Sequence, residues 1–515
     1  MNNRSMIGMS WCWALVACLA WSTPALGQGG SFMDVRLTWT FGDDDVLHRA
    51  GDEIESPLPD IRDRPGYELF YDNLDTRYSG RENITHLVLY KQVPSLLNDQ
   101  LVVDIAAVML VDFAALYGDS DYVINVFRDD GSYIRLTYNW SPTRPHDGLE
   151  VILFPLDTDR VRVGYLYDLS WGGRGAFSSR GAALSPGLKL QLRSGNVYAF
   201  VGMKVSLVNQ QRTIDDNIVS VRETNYGTLA GVGMDALPWL RFDVSGGFFQ
   251  MSTFQTEGAD VDPAFTYGGA ARLVFHQGIP IRQSPDFMLY RNDPEAEQML
   301  ALREEYVPGQ FSWSVAVEGH ALGQHLHDAD ADDGASEQLG WATALQVMVK
   351  YGYLRAHLTG MARSPAFLLQ QRPSLVPFDV MDHLNGLLDR SGDKITPEYW
   401  GALGVDYHFA RPHLTLGATA GVRMPSFQRD EYSLVWLIGA AGYVDSYSLP
   451  DNETPVPEVA ARLFLQWDAA EILTMLLSVQ YVRDPNHTFY DSSRGEVGRL
   501  DADRLGLFLT AQGRF

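Results

Sequence analysis

The chain has 515 residues and carries 64 Asp and Glu against 40 Lys and Arg, a formal net charge of −24. That balance argues against nucleic acid as a partner, because phosphate binding needs a basic face. Beyond the N-terminal segment no apolar run reaches about 18 residues, so no transmembrane helix is expected; a mean hydropathy of −0.13 with 12% aromatic residues suits membrane strands that are half polar.

Residues 1–27 have the layout of a secretory signal. Arg4 is the only charge, an apolar run extends from Met6 to Trp21, and Ser22-Thr-Pro-Ala-Leu-Gly27 follows. The small residues Ala25 and Gly27 predict cleavage before Gln28, leaving 28–515 as one barrel domain. Leu15-Val-Ala-Cys18 also matches a lipoprotein box, which would leave Cys18 as a lipidated N-terminus. Ordinary cleavage is favoured because the apolar run continues past Cys18 and a good cleavage region follows it. Both cysteines, Cys12 and Cys18, lie in this segment. The mature chain is therefore expected to lack disulfides, thiolate chemistry and cysteine metal sites, as suits passage through an oxidising periplasm.

From there, alternating apolar and polar residues recur in segments of about 8 to 14 residues. In 32–41, Val35, Leu37 and Trp39 share one face and Asp34, Arg36 and Thr38 the other. In 132–140, Ile134, Leu136, Tyr138 and Trp140 oppose Tyr133, Arg135 and Thr137. In 160–168, Val161, Val163, Tyr165 and Tyr167 oppose Arg160, Arg162 and Gly164, and in 186–194 Leu188, Leu190 and Leu192 oppose Lys189, Gln191 and Arg193. The period continues through 197–207, 240–251, 265–276, 311–320, 341–350, 399–409, 413–423, 459–467 and 472–481, and a helical period fits these segments poorly.

The connections sort by length. Short turns are expected at 193–196, 235–238, 351–353, 411–412 and 468–471; long polar links are expected at 169–185, 208–223, 252–262, 324–339, 364–397, 425–456 and 484–501. Such sorting belongs to a barrel with short periplasmic turns and long extracellular loops. Counting back from a periplasmic C-terminus places every short turn in the periplasm. It also makes Asp129-Asp-Gly131 a periplasmic hairpin turn of the Asp-Gly type. The exception is 277–310, long yet periplasmic by parity. Within it Asp293 as N-cap and Pro294 at the first position predict a helix over 293–306, a surface helix or else a plug or docking element. The fold class is all-β, a transmembrane antiparallel β-barrel of about 18–20 strands, a size that encloses a water channel. Trp39, Phe41, Trp140, Tyr165, Trp171, Trp313, Trp341, Trp400, Phe409, Trp467 and Tyr481 are expected to supply interfacial girdles.

At the end of the chain Gly513, Ala511, Leu509, Leu507 and Leu505 form an uncharged face opposite Arg514, Gln512, Thr510, Phe508, Gly506 and Arg504, and Phe515 closes the strand. This ending resembles the C-terminal assembly signal of Gram-negative outer-membrane β-barrels. With the export signal and the strand-and-loop pattern, the whole chain resembles a porin-like barrel. The resemblance implies export through the periplasm to the outer membrane and recognition of Phe515 by the barrel-assembly machinery. It also implies contact with outer-membrane lipid and lipopolysaccharide, and passage of small hydrophilic solutes. An oligomer is compatible with it. The first strand follows soon after Gln28 and leaves no room for an N-terminal plug, which disfavours a TonB-dependent transporter.

On the expected lumen face stand Arg135, Arg160, Arg162, Lys189, Arg193, Lys204, Arg241, Arg272 and Arg462, taken as candidate solute-binding residues, with Arg36, Lys350, Arg355 and Arg423. Acidic residues at equivalent positions are fewer: Asp34, Asp104, Asp112, Glu150, Asp168, Asp243, Glu318 and Asp406. A basic wall raises the local anion concentration, so the expected channel prefers anions or carboxylates. The competing reading is that lumen arginines pair with carboxylates and brace the wall. Asp328-Ala-Asp-Ala-Asp-Asp333 has alternate aspartates, but its glycine is one place late and position twelve is Leu339, so a solvated acidic loop is expected in preference to a calcium site. The histidines form no motif with Ser or acidic neighbours, and no phosphate-binding glycine loop occurs, so neither an enzyme nor a cofactor is expected. Two alternatives to a porin-like channel stand: an exporter of an anionic polysaccharide, similar to alginate exporters, and a non-conducting barrel whose extracellular loops bind a partner.

Overall fold

Alternation over segments of this length predicts strands with one wet and one dry face, and the computed structural model shows how they pair. It describes residues 33–43, 45–47, 81–94, 97–113, 127–129, 131–140, 147–158, 161–166, 169–173, 185–214, 217–255, 261–279, 306–327, 334–370, 396–429, 435–438, 449, 453–470, 472–486, 488–491, 496–499 and 501–514. Arg160, Phe515, the export signal, the 293–305 part of the expected helix and the Asp328–Asp333 run lie outside the described residues.

The barrel strands are β1 Asp34–Asp43, β2 Arg81–Val93, β3 Leu101–Asp112, β4 (in two parts, Phe127–Asp129 and Tyr133–Asn139), β5 Gly148–Phe154 and β6 Gly187–Ser194. There follow β7 Val197–Ile214, β8 Asn217–Leu237, β9 Leu240–Gln255, β10 Val261–Gln277, β11 Phe311–His327 and β12 Ala335–Tyr351. The last six are β13 Leu354–Arg363, β14 Glu398–Phe409, β15 Leu414–Met424, β16 Glu458–Ala470, β17 Leu473–Arg483 and β18 Asp503–Arg514. Each pairs antiparallel with the next, and β1 pairs with β18 from Arg36↔Arg514 to Asp43↔Leu507, closing an 18-stranded barrel. Closure leaves no open edge along the part of the sheet where all 18 strands pair on both sides, so the backbone there is satisfied without help from solvent.

The first residue of β1 and the last of β18 lie at one end. The tight reversals at 195–196, 238–239, 352–353, 410–413 and 471–472 lie there too, while 44–80, 113–126, 155–186, 364–397, 425–457 and 484–502 link strands at the other. We call these the turn end and the loop end. The expected sidedness holds, and 278–310 is a long link at the turn end, but three loop-end links, at 215–216, 256–260 and 328–334, are short.

Two expected strands are not separate strands, and together they separate 18 from 20. Asp129-Asp-Gly131 is no hairpin turn. Both parts of β4 pair with β3, at Met109↔Asp129 and at Ala106↔Tyr133, so the Asp-Gly pair is a bulge inside one strand. Gly131 takes φ +97°, and the Asp129 carboxylate accepts from the amides of Gly131 and Ser132, both at 3.2 Å. The Ser132 hydroxyl accepts from the Val108 amide at 2.8 Å, replacing the ladder bond that the bulge removes. The second case is 160–168, which joins no ladder; its described part is folded into the barrel, as set out below. Because sidedness is counted back from the C-terminus, every turn after residue 168 is untouched by the two miscounts, and their even number leaves the links before residue 121 on their expected ends. The expected loops at 208–223, 252–262 and 324–339 are largely strand, since β7 to β12 project beyond the membrane at the loop end. A short helix α1, Pro365–Gln370, opens the 364–397 link.

The dry face points outward. Along β1, Leu37, Trp39 and Phe41 are exposed while Arg36, Thr38 and Thr40 are buried, and along β18 Gly506, Phe508, Thr510 and Gln512 point inward. This is the reverse of a soluble domain, and hydrocarbon rather than water is its matching solvent. Trp239 stacks on Phe275 at 6.1 Å near the turn end, with Tyr351, Tyr407, Phe409 and Trp467 exposed in the same band. Tyr226, Tyr267, Trp341, Tyr399 and Tyr481 form a second exposed band farther up. Roughly eight to eleven residues of a tilted strand separate the bands, or roughly 20–28 Å, the height of a bilayer's apolar layer. Tyr165, Trp171 and Trp400 do not belong to these girdles: all three are buried inside. Among the described residues no helix is long and apolar enough to cross a membrane.

Candidate functional site: the inner wall and its inserted segment

Period two along each strand sends every second residue inward, and antiparallel register sets acids beside bases. Asp104 faces Arg135 across β3 and β4; its carboxylate accepts from Arg135 Nε at 2.9 Å and the Tyr90 hydroxyl at 2.6 Å. Arg193 lies 3.2 Å from Glu150. On β9, Asp243 is fully buried and accepts from Arg241 Nε at 3.0 Å, Arg272 Nη2 at 2.8 Å and the Tyr198 hydroxyl at 2.9 Å. Arg241 reaches on to Asp235 at 2.9 Å. Toward the turn end Arg355 Nε donates to Asp406 at 2.7 Å, and Tyr306 donates to the other oxygen at 2.8 Å while stacking on His408 at 4.8 Å.

At the loop end, four charges from four consecutive strands form a chain. Arg363 Nε donates to Glu398 at 2.8 Å, Arg423 Nε to the second oxygen of Glu398 at 2.8 Å, and Arg423 Nη1 to Glu458 at 3.1 Å. Arg363, Glu398 and Glu458 were missing from the expected wall. The signal was available: Arg363 is in phase with Arg355 and Glu398 with Asp406, eight residues apart on the same strands.

Of the other candidates, Lys189 is buried with its ammonium 5.1 Å from the Phe200 ring centre, and Arg462 donates to Gln480 at 2.7 Å. Arg162 stands half-buried on the inserted segment rather than on a strand. The structure thus brings Arg241 and Arg272 together on one carboxylate and spreads the remaining described candidates around the wall.

The inserted segment belongs to the link between β5 and β6. Val161, Val163, Leu169 and Trp171 are as apolar as a membrane strand, but they are buried within the barrel against Val108, Ile152, Phe154, Phe200, Leu229 and Phe249 of the wall. Val163 and Trp171 bond backbone to backbone in both directions, at 2.8 and 3.0 Å, which makes the segment a narrow loop. Its base is held by Lys204, whose ammonium donates to the carbonyls of Thr158 (2.8 Å) and Gly172 (2.6 Å). Its middle is held by Glu318, whose carboxylate accepts from the amides of Tyr165 and Leu166. Phe367 of α1 meets His320 edge-on at 5.8 Å. Burial, with the neighbouring Asp243 charge, pushes the Tyr165 phenol above its ordinary range, so it stays a neutral hydroxyl against that of Tyr198 at 3.0 Å. Among the described residues no cluster of His, Cys, Asp and Glu has the arrangement of a metal site.

No family model matches the chain, and no curated protein matches it. Among solved structures it is similar to Pseudomonas aeruginosa OpdK with vanillate, at 9% identity and a TM-score of 0.45 over 94% of this chain and 98% of that one. It is also similar to Pseudomonas aeruginosa OccK3 (OpdO), at 10% identity and 0.44 over 94% and 95%, and to Acinetobacter baumannii OccAB2, at 7% and 0.45 over 94% and 97%. These likenesses do not extend to a substrate. The closure of β1 on β18, the apolar outer band and the charged inner wall make the chain an 18-stranded transmembrane β-barrel.

Proposed function

We propose that the protein is an outer-membrane channel for small hydrophilic solutes, with a preference for anions. The observation that carries the reading is the barrel's cross-section: an apolar exterior around a wall of charged side chains, narrowed from within by a pinned segment. Asp243 is shared by Arg241 and Arg272, with Arg241 reaching on to Asp235, and bases outnumber acids among the inward-facing strand residues named above. Basic side chains inside low-dielectric walls attract anions. The inserted segment favours small solutes over a polysaccharide chain, because a polymer needs the cross-section that Trp171 and its neighbours take up. The same reading puts outer-membrane lipid and lipopolysaccharide against the outer bands and assigns Phe515 to recognition by the assembly machinery. Single-channel recording of the refolded protein across a salt gradient tests it. The expected result is steady conductance with an anion-selective reversal potential; cation selectivity would sink the anion preference, and a silent barrel the channel itself.

A further inference from the structure

Glu318 is the wall residue that the inserted segment is built around. Gly164 has φ +108°, a conformation that turns the two following amides to one side, and both point at the same carboxylate. Tyr165 N lies 2.7 Å from one oxygen and Leu166 N 2.9 Å from the other. His320, two residues along β11, places Nε2 2.8 Å from the first oxygen, and an ionised carboxylate only accepts, so that nitrogen carries the hydrogen. Arg272 faces Glu318 in register, with its guanidinium 4.3 Å from the Tyr165 ring centre. Consecutive amides after a left-handed glycine make an anion-binding concavity, the kind that captures carboxylates elsewhere. A methyl group at Gly164 would meet His320 Cε1 at 2.5 Å, so backbone and imidazole approach one another only because the residue is glycine.

We propose that the amides of Tyr165 and Leu166, with His320, form the binding site for the carboxylate of a permeating solute, and that Glu318 fills this site as a built-in competitor. The inference deepens the anion-channel reading and rests on it. A solute carboxylate has the same head as the glutamate side chain, and it arrives where the segment narrows the barrel. Taking the two amides releases Glu318 from the segment, so binding of the anion and loosening of the constriction are one event. The competitor sets a threshold: monocarboxylates pass only when their concentration offsets the intramolecular contact.

The test uses the refolded full chain in planar bilayers with benzoate as the probe, read as the concentration that halves the chloride current. Glu318→Ala is expected to lower that concentration about tenfold, the scale of one charge-assisted hydrogen-bonded contact. Adding Gly164→Ala to it is expected to return the value to the wild-type range. Glu318→Gln keeps the shape and one acceptor, and is expected to shift the same way by less, which guards against a loss of folding in the alanine variant. Values within twofold of wild type for both Glu318 variants overturn the site. If the wild type carries no current, the channel reading fails separately. Titration calorimetry of benzoate against wild type and Glu318→Ala in detergent then decides: tighter binding by the variant sustains the site, and equal binding overturns it.

Discussion

Lys204 donates to the carbonyl of Gly172 at 2.6 Å, and through it one buried side chain of β7 holds a segment that enters the barrel between β5 and β6. The same ammonium donates to Thr158, so both ends of the segment close on a single charge. Methionine fills the same space without the donors. Lys204→Met is expected to free the segment and raise single-channel conductance, with a loss of about 2 kcal/mol in unfolding free energy from the unpaired carbonyls. Unchanged conductance and stability would show that the apolar contacts of Trp171 hold the segment without the clamp.

Asp243 is shared by two guanidiniums, one of which, that of Arg241, also reaches Asp235. Asp243→Asn leaves Arg241 and Arg272 without their shared counter-charge, and breaking a buried pair in this way costs about 3–5 kcal/mol. Urea unfolding in detergent measures the loss. If the barrel still conducts, the reversal potential is expected to move toward stronger anion selectivity, since the wall gains net positive charge.

The bulge in β4 depends on a left-handed residue. Gly131→Ala places a side chain at φ +97°, at a cost of about 1–2 kcal/mol. Ser132→Ala removes the hydroxyl that replaces the missing ladder bond to Val108, at about 1 kcal/mol. Both are expected to lower the unfolding midpoint while ion selectivity stays unchanged, and a shift in selectivity would place the bulge in the conduction path.

Leu190 sits on the outer face of β6 about midway between the two aromatic bands. Leu190→Arg is expected to cost about 2–4 kcal/mol on folding into lipid vesicles, the depth-dependent cost of a charge against hydrocarbon. Equal folding of variant and wild type into vesicles would remove Leu190 from the lipid-facing surface.

Period two and link length suffice, without coordinates, to read the barrel, its sidedness and most of its inward charges. Each strand repeats the same local rule: the membrane dictates an apolar outer face, and the barrel interior a polar inner one. Leu188, Leu190 and Leu192 against Lys189, Gln191 and Arg193 state that rule in six residues. Only the tertiary structure decided which alternating segments are wall. The 160–168 segment alternates as well as any strand, because lining a barrel from within also demands one face for the wall and another for its own loop. Asp129-Asp-Gly131 has the composition of a hairpin turn, and its role as a bulge follows from β3 offering partners on both sides of it. The pairing of charges was likewise beyond the sequence. Register across strands set Arg272 on Asp243 from 29 residues away, beside Arg241 of the same strand, and barrel closure carried Glu318 to a loop some 150 residues earlier in the chain. Local alternation determines a face; only closure of the barrel determines what that face meets.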